Sequence, residues 1–204
     1  MSAESARALR ARNLRTLGLL AALFFLPLVI AFVTYYGTNW RPAGRVNHGR
    51  LIMPLRPLPA VVLPRVSLES SAAGAPFTAF RNRWSLVYIG DGGCDADCRA
   101  VLYFVRQTRL SLNNDMTRLQ RIFLVTGHCC ARAFLAREHV GLIVLDATGA
   151  AGEPLLREFP AAGRVHTVFI VDPLGNLMMS YDARQDPHGL LEDLQKLLRL
   201  SHSG

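Results

Sequence analysis

The chain has 204 residues, half of them hydrophobic, and a formal net charge of +8. This length suits one globular domain plus an additional segment, and the composition excludes a wholly disordered, collagen-like or disulfide-framework protein. Apart from a cluster near the N-terminus the arginines are scattered, and no nucleic-acid-reading motif accompanies them, so we expect no nucleic-acid partner.

The N-terminal region contains an apolar run long enough to cross a membrane. Residues 16–36 carry no charged side chain, and a helix of about 21 residues spans roughly 30 Å, the thickness of a bilayer's hydrocarbon core. Four arginines precede the run: Arg7, Arg10, Arg12 and Arg15. The positive-inside rule therefore predicts a cytoplasmic tail at 1–15, a single transmembrane helix at 16–36 and an extracytoplasmic remainder. A cleaved signal peptide is the alternative, disfavoured because the apolar run is longer than a typical signal sequence.

The next segment, residues 37–66, is rich in proline. It contains Pro42, Pro54, Pro57, Pro59 and Pro64. Because proline interrupts helices, we expect extended structure or short edge strands here. We interpret the segment as a stalk and an entry into a globular domain at 67–204.

Within residues 67–204, short apolar runs alternate with amphipathic segments. The pattern predicts strands at 84–89, 121–126 and 141–146, helices at 98–112, 130–138 and 189–200, and a hairpin at 165–181. This alternation predicts an α/β fold, a sheet with helices on both faces.

The first strand is followed by Cys94 and Cys98, a CxxxC pair at the start of the predicted helix. Two cysteines four residues apart in a first helical turn share a face, with α-carbons about 6 Å apart, so that they can form a disulfide or hold one soft metal ion. The alternative is a purely stabilising disulfide, which contributes only about 2 kcal/mol for so short a ring.

A metal would need a third ligand. The candidates are His48, His128, His139, His166, His188 and His202. A second cysteine pair, Cys129 and Cys130, follows the second strand, and we expect two free thiols there because neighbouring cysteines pair with difficulty. These thiols could provide an accessory soft-metal site or resolve a disulfide of the first pair, but the favoured interpretation is two small residues that open a helix.

Two segments resemble the Sco (SenC) family. The sequence LVYIGDGGCDADCRAVL resembles that family's strand and CxxxC segment, and VHTVFIVDPLGN resembles its His-Ser/Thr strand and Asp-Pro-x-Gly turn. The resemblance covers roughly residues 84–200. It is closer still to the Sco-like membrane proteins of bacterial cytochrome oxidase gene clusters, which share the Asn-x-Gly-x-Leu and Pro-rich entry found here at Asn47–Pro59.

The resemblance implies a thioredoxin-like domain, a central mixed sheet flanked by helices, on one membrane helix. It places the anchor in the bacterial inner membrane and the domain in the periplasm. It also implies that Cys94, Cys98 and His166 bind copper, as Cu(I) or Cu(II), for delivery to the CuA site of a cytochrome c oxidase subunit.

Two other functions stay open. Asp95 and Arg99 stand where Sco proteins usually have proline, which favours a thiol–disulfide oxidoreductase that uses Cys94 and Cys98 as its catalytic redox pair and keeps the oxidase's copper-site cysteines reduced. The other alternative is a non-catalytic assembly factor that acts only as a docking surface.

Overall fold

The structure, a computed structural model, describes residues 3–37, 47–68, 73–78 and 80–201. The chain forms two compact units, Met1–Arg45 and Val46–Gly204. In the first unit a single helix, α1, spans Ala3–Gly37. Its segment Arg10–Gly37 is, among the described residues, the one stretch long and apolar enough to cross a membrane, by length and composition alone. The predicted span at 16–36 lies inside it.

The second unit is built on an eight-stranded sheet. Its strands are β1 Arg50–Pro57, β2 Val62–Val66, β3 Ala73–Thr78, β4 Trp84–Gly90, β5 Leu119–Val125, β6 Ile143–Asp146, β7 Thr167–Val171 and β8 Asn176–Asp182. They lie in the order β1-β8-β7-β4-β5-β6-β2-β3. Strands β4, β5 and β6 are parallel to one another, and the other pairings are antiparallel. The sheet is therefore mixed, as the resemblance implied.

Four helices accompany the sheet: α2 Ala96–Ser111, α3 Arg132–Glu138, α4 Gly152–Glu158 and α5 Pro187–Leu200. Two 3-10 helices are also present, Asn113–Arg118 and Arg164–His166. Because side chains alternate along a strand, β4 turns Leu86 towards a core shared with α2, α3 and α5, and Val87 towards a second core that includes α4. Helices thus cover both faces of the sheet.

The prediction of extended structure or edge strands in the proline-rich segment is confirmed, since the segment contains β1, at an edge of the sheet, and β2. These strands join the sheet through pairing with β8 and β6. Helix α4 and strand β3 have no counterpart among the predicted elements. The β7–β8 hairpin is confirmed.

Candidate functional site

The CxxxC pair lies where β4 gives way to α2. Cys94 and Cys98 are joined by a disulfide with α-carbons 5.0 Å apart, and both residues are buried. Cys98 lies in the first turn of α2, whereas Cys94 precedes the N-cap residue and has a φ of +50°. The prediction that both cysteines share a helical turn is therefore wrong. A left-handed residue outside the helix brings Cys94 back towards Cys98 instead.

Side chains around the pair hold this turn by hydrogen bonds to the backbone. The Asp95 carboxylate accepts a hydrogen bond from the backbone N–H of Cys98 at 3.0 Å and so caps α2. The Arg99 Nε donates to the carbonyl oxygen of Cys94 at 3.1 Å. The disulfide closes this loop, and the charged side chains of Asp95 and Arg99 form hydrogen bonds with its backbone groups.

The second cysteine pair lies in the loop between β5 and α3. Cys129 and Cys130 are bonded to each other as a disulfide, so the expectation of two free thiols is wrong. Cys129 is exposed, and Cys130 is partly buried against the same core as Cys94 and Cys98.

The two cysteine loops are in direct contact because β4 and β5 are parallel neighbours that end at the same edge of the sheet. The Ala131 N–H donates to the carbonyl oxygen of Gly92 at 2.8 Å. The Asp91 carboxylate accepts from the backbone N–H of Gly93 at 2.7 Å and from that of His128 at 2.9 Å. One carboxylate therefore ties both loops together, and these hydrogen bonds lower the pKa of Asp91.

His166 is the last residue of the 3-10 helix that precedes β7. The prediction that it begins this strand is wrong, because β7 begins at the next residue, Thr167. Its Nε2 lies 3.9 Å from Oδ2 of Asp97, the residue next to Cys98. The Tyr88 hydroxyl donates to the carbonyl oxygen of Val165 at 3.2 Å, and the Ala183 N–H donates to that of His166 at 2.7 Å. The fold thus places His166 beside the CxxxC loop.

Negative charge is concentrated at this edge of the sheet. The pKa of Tyr88 is raised to about 12, chiefly by burial and then by the carboxylates of Asp95 and Asp97. The Tyr88 hydroxyl therefore stays neutral at physiological pH and remains a donor for Val165. Tyr88 and Asp91 are not among the predicted site residues, although Tyr88 lies near the end of the predicted strand and Asp91 follows it, where site residues of α/β sheets collect.

The described residues contain no group of three or more His, Cys, Asp or Glu side chains arranged to hold a metal ion. The other described histidines lie in different surroundings: three approach carboxylates, His48 near Glu192, His128 near Asp91 and His188 near Asp186, and His139 is buried. His202 lies outside the described residues. Since thiolates, not disulfides, bind metals, a ligand set of Cys94, Cys98 and His166 requires the reduced pair.

Comparison with solved structures relates this fold to Sco proteins. Apo Sco1 from Thermus thermophilus matches with a TM-score of 0.57 and 16% identity, over 76% of this chain and 99% of that one. Copper-bound yeast Sco1 matches with a TM-score of 0.57 and 15% identity, over 70% and 95%. A SCO1/SenC family lipoprotein from Bacillus anthracis matches at 0.52 and 11%, over 72% and 98%. These likenesses establish the thioredoxin-like fold that the resemblance implied.

No curated protein sequence matches the chain. A family model described as "Transmembrane-like, thioredoxin-like, C-terminal domain" matches residues 84–201, which begin at β4 and contain both cysteine pairs and His166. Since this match covers more than half of the 204 residues, the chain belongs to the family of transmembrane-like, thioredoxin-like C-terminal domains.

Proposed function

We propose that this protein is a membrane-anchored thiol–disulfide exchange protein in which Cys94 and Cys98 are the catalytic redox pair. The observation that carries the proposal is the disulfide between them at the N-terminus of α2, where a parallel strand ends. A purely stabilising bridge gains most by closing a long loop, whereas this ring closes a sequence separation of only four. Such a pair is better placed for chemistry than for stability.

The exchange proceeds in two steps. A thiolate of the reduced pair attacks a disulfide sulfur of the partner, which forms a mixed disulfide and releases one partner thiolate. The second cysteine then attacks the mixed disulfide, which restores the Cys94–Cys98 bond and releases the second partner thiol. Two electrons and two protons pass to the partner. A dithiol donor, itself oxidised to a disulfide, returns the pair to its reduced form.

Charged side chains of both signs adjoin the pair and affect how easily its disulfide is reduced. The N–H groups at a helix N-terminus stabilise a thiolate, but here the N–H of Cys98 is already bonded to the Asp95 carboxylate. Asp95 and Asp97 also oppose a further negative charge, whereas the Arg99 guanidinium, which is bonded to the carbonyl oxygen of Cys94, favours one. We propose that the two carboxylates outweigh Arg99, so that the disulfide resists reduction and the protein acts as a reductant of its partner.

We place the domain in the periplasm of a bacterium, with the N-terminus in the cytoplasm and α1 in the inner membrane. The arginines before the apolar run support this orientation, and disulfides persist in oxidising compartments. The partner we propose is the cytochrome c oxidase subunit whose cysteines form the CuA site. An anchor in the same membrane raises the local concentration of the domain near such a partner.

Copper delivery is the second candidate function, favoured by His166. Its ring lies beside Asp97, the residue before Cys98, and one matching structure is of yeast Sco1 with copper bound. Reduced Cys94 and Cys98 are soft ligands for Cu(I), and the imidazole of His166 also suits Cu(II). Copper is then the cargo, and it is released when a disulfide of another protein accepts two electrons from the pair and the Cys94–Cys98 bond forms.

One experiment on the full-length protein in neutral detergent separates the two functions. For exchange, Cys98→Ser or Cys94→Ser is expected to accumulate a mixed disulfide with the CuA-bearing subunit, and absence of any mixed disulfide in both variants contradicts the proposal. For copper, the reduced protein is expected to bind about one ion per chain, weakened at least about tenfold by His166→Ala. His188→Ala removes an exposed histidine as the matched control. Equal copper binding in both histidine variants excludes His166 as a ligand.

A further inference from the structure

A pocket rich in arginine lies at the opposite end of β5 from the cysteines. It has a volume of about 270 Å³ and is lined by Arg106 and Arg109 of α2, Arg121 of β5, and Arg137 and Glu138 of α3. Four arginines face one glutamate, so three positive charges are unbalanced. This excess concerns α2, α3 and β5 alone and does not depend on the function proposed for the cysteines.

Arg121 is the unusual member of this group because it is only 3% exposed. Its Nη2 donates to the carbonyl oxygen of Val140 at 2.6 Å, but no described residue accepts a hydrogen bond from its Nε or Nη1, both of which are buried. Buried polar groups are nearly always hydrogen-bonded, and a buried charge without a partner is costly. The residue that carries this free-energy cost, Arg121, lines an open pocket.

The neighbours of Arg121 increase the cost. Its pKa is lowered to about 10, first by burial and then by the positive charges of Arg109 and Arg106. Arg109 is itself held in place, because its Nε donates to the carbonyl oxygen of Leu119 at 2.8 Å. The cations are therefore held together by the fold although they repel one another.

The one carboxylate of the pocket does not neutralise Arg121. Glu138 Oε1 lies 3.0 Å from Nε of Arg137, and its Oε2 lies 3.8 Å from Nη1 of Arg106. Arg106 Nη1 also donates to the backbone carbonyl oxygen of Glu138, while the buried Nε of Arg106 has no acceptor among the described residues. The pocket therefore has more hydrogen-bond donors than acceptors among the described residues, and more positive charge than Glu138 neutralises.

We propose that this pocket binds a phosphate group among the four arginines that line it, Arg106, Arg109, Arg121 and Arg137. Planar guanidinium groups match the geometry of phosphate oxygens and donate in pairs. A phosphate group, with up to two negative charges, balances the three excess positive charges better than a single carboxylate does. The group is either a free phosphate ion or part of a phospholipid headgroup.

The test measures thermal unfolding of the full-length protein in neutral detergent at constant ionic strength. Inorganic phosphate is the first probe; dihexanoyl phosphatidic acid is the second, with dihexanoyl phosphatidylcholine as the lipid control. We expect the unfolding midpoint to rise saturably with phosphate, since a ligand that binds only the native state stabilises it. A rise with phosphatidic acid but not with phosphatidylcholine assigns a headgroup as a source, and a rise with inorganic phosphate alone assigns the free ion.

Arg137→Gln is the decisive variant because Arg137 is exposed and its loss leaves the core intact. It is expected to raise the dissociation constant for phosphate by about tenfold, and Arg106→Gln by at least as much. Arg157→Gln is the matched control, since Arg157 is also exposed and paired with a glutamate, but lies on α4. The proposal is overturned if neither probe stabilises the protein, or if Arg137→Gln and Arg157→Gln weaken the effect equally.

Discussion

The polar groups at the two ends of the parallel pair β4 and β5 differ in their hydrogen bonding. At the carboxyl end, the acidic side chains Asp91 and Asp95 accept hydrogen bonds from backbone N–H groups of the cysteine loops. At the amino end, the buried Arg121 Nε and Nη1 find no acceptor among the described residues, and the buried His139 Nδ1 has no hydrogen-bond partner among them. The carboxyl end thus carries carboxylates that accept hydrogen bonds, whereas the amino end carries a buried cation with donors that lack acceptors.

This difference in hydrogen bonding affects what each end can bind and how substitutions there should act. At the carboxyl end the proposed chemistry lies in covalent S–S bonds, so it does not require unsatisfied hydrogen-bonding groups. At the amino end, two buried Arg121 donors have no acceptor among the described residues, and the phosphate group proposed for the pocket adds negative charge there. We therefore expect substitutions at the carboxyl end to act through loop contacts and thiol chemistry, and changes at the amino end to act through charge.

The largest expected effect comes from crowding the two cysteine loops. A Cβ on Gly92 would lie 2.5 Å from the carbonyl oxygen of His128 and 3.0 Å from the Cys130 sulfur. Gly92→Ala must therefore push the loops apart, and overpacking of this kind costs about 2–3 kcal/mol in the free energy of unfolding. Urea denaturation measures it. Gly149→Ala, which meets nothing within 4 Å, is the control, and equal losses in both variants would show that the loops do not touch.

A pH titration tests the charge at the amino end. The pKa of His139 is lowered from 6.5 to about 4 by burial and by the charges of Arg121 and Arg106, against a smaller opposite effect of Glu138. Below its ordinary pKa the unfolded chain binds a proton that the folded protein does not, so stability falls as the pH falls. Between pH 7 and pH 5 the loss from this group is about 2 kcal/mol.

Replacement of His139 isolates this effect. His139→Phe keeps an aromatic ring against Phe134, which the imidazole now meets edge-on at 5.1 Å, but removes the titration. The difference in unfolding free energy between the two pH values is expected to be smaller in the variant by about 2 kcal/mol. An unchanged difference would mean that the amino end does not hold His139 neutral.

The sequence predicted the carboxyl end better than the amino end, for a physical reason. A strand, a glycine loop and CxxxC are local in the chain, so the position of Cys94 and Cys98 between β4 and α2 could be inferred. The resemblance also indicated His166, which the structure places near Asp97. The left-handed turn at Cys94 could not be inferred, because it depends on how the loop closes against α2.

Other features depend on contacts distant in sequence. Arg121 opens an apolar run and resembles an exposed residue at a strand start; it is buried only because neighbouring elements cover β5. Strands β1 and β2 are rich in proline and form by pairing with β8 and β6, since strand stability depends on neighbours more than on intrinsic preference. The contact between the two cysteine loops likewise requires knowing that β4 and β5 are adjacent.

Asp95 tests the negative charge at the carboxyl end. Asp95→Asn keeps an N-cap acceptor for the N–H of Cys98 but removes a charge that opposes thiolate formation. Because a more stable thiolate leaves faster, we expect reduction of the Cys94–Cys98 bond by a small dithiol to accelerate by up to about tenfold. Asp115→Asn, at an exposed carboxylate outside this loop, is the control. A slower or unchanged rate in Asp95→Asn would show that the charge does not protect the disulfide.

Tyr88→Phe has the smallest expected effect and distinguishes the two functions proposed for the carboxyl end. The variant keeps the ring stacked on Phe123 at 5.4 Å and loses the hydrogen bond to Val165, which adjoins His166. One such bond contributes about 1 kcal/mol, so the global stability should fall by no more than that.

Tyr88→Phe is expected to affect disulfide exchange and copper binding differently. Because the removed bond holds the 3-10 helix and not the CxxxC loop, the rate of disulfide exchange should stay within twofold of wild type, about 0.4 kcal/mol. Copper affinity should fall several-fold if His166 is a ligand, because its ring loses its support. Since the pKa of Tyr88 is about 12, the hydroxyl donates throughout the neutral range, and its titration adds no pH dependence to the ratio of variant to wild type there. A change in exchange with unchanged copper affinity would assign Tyr88 to the thiol chemistry instead.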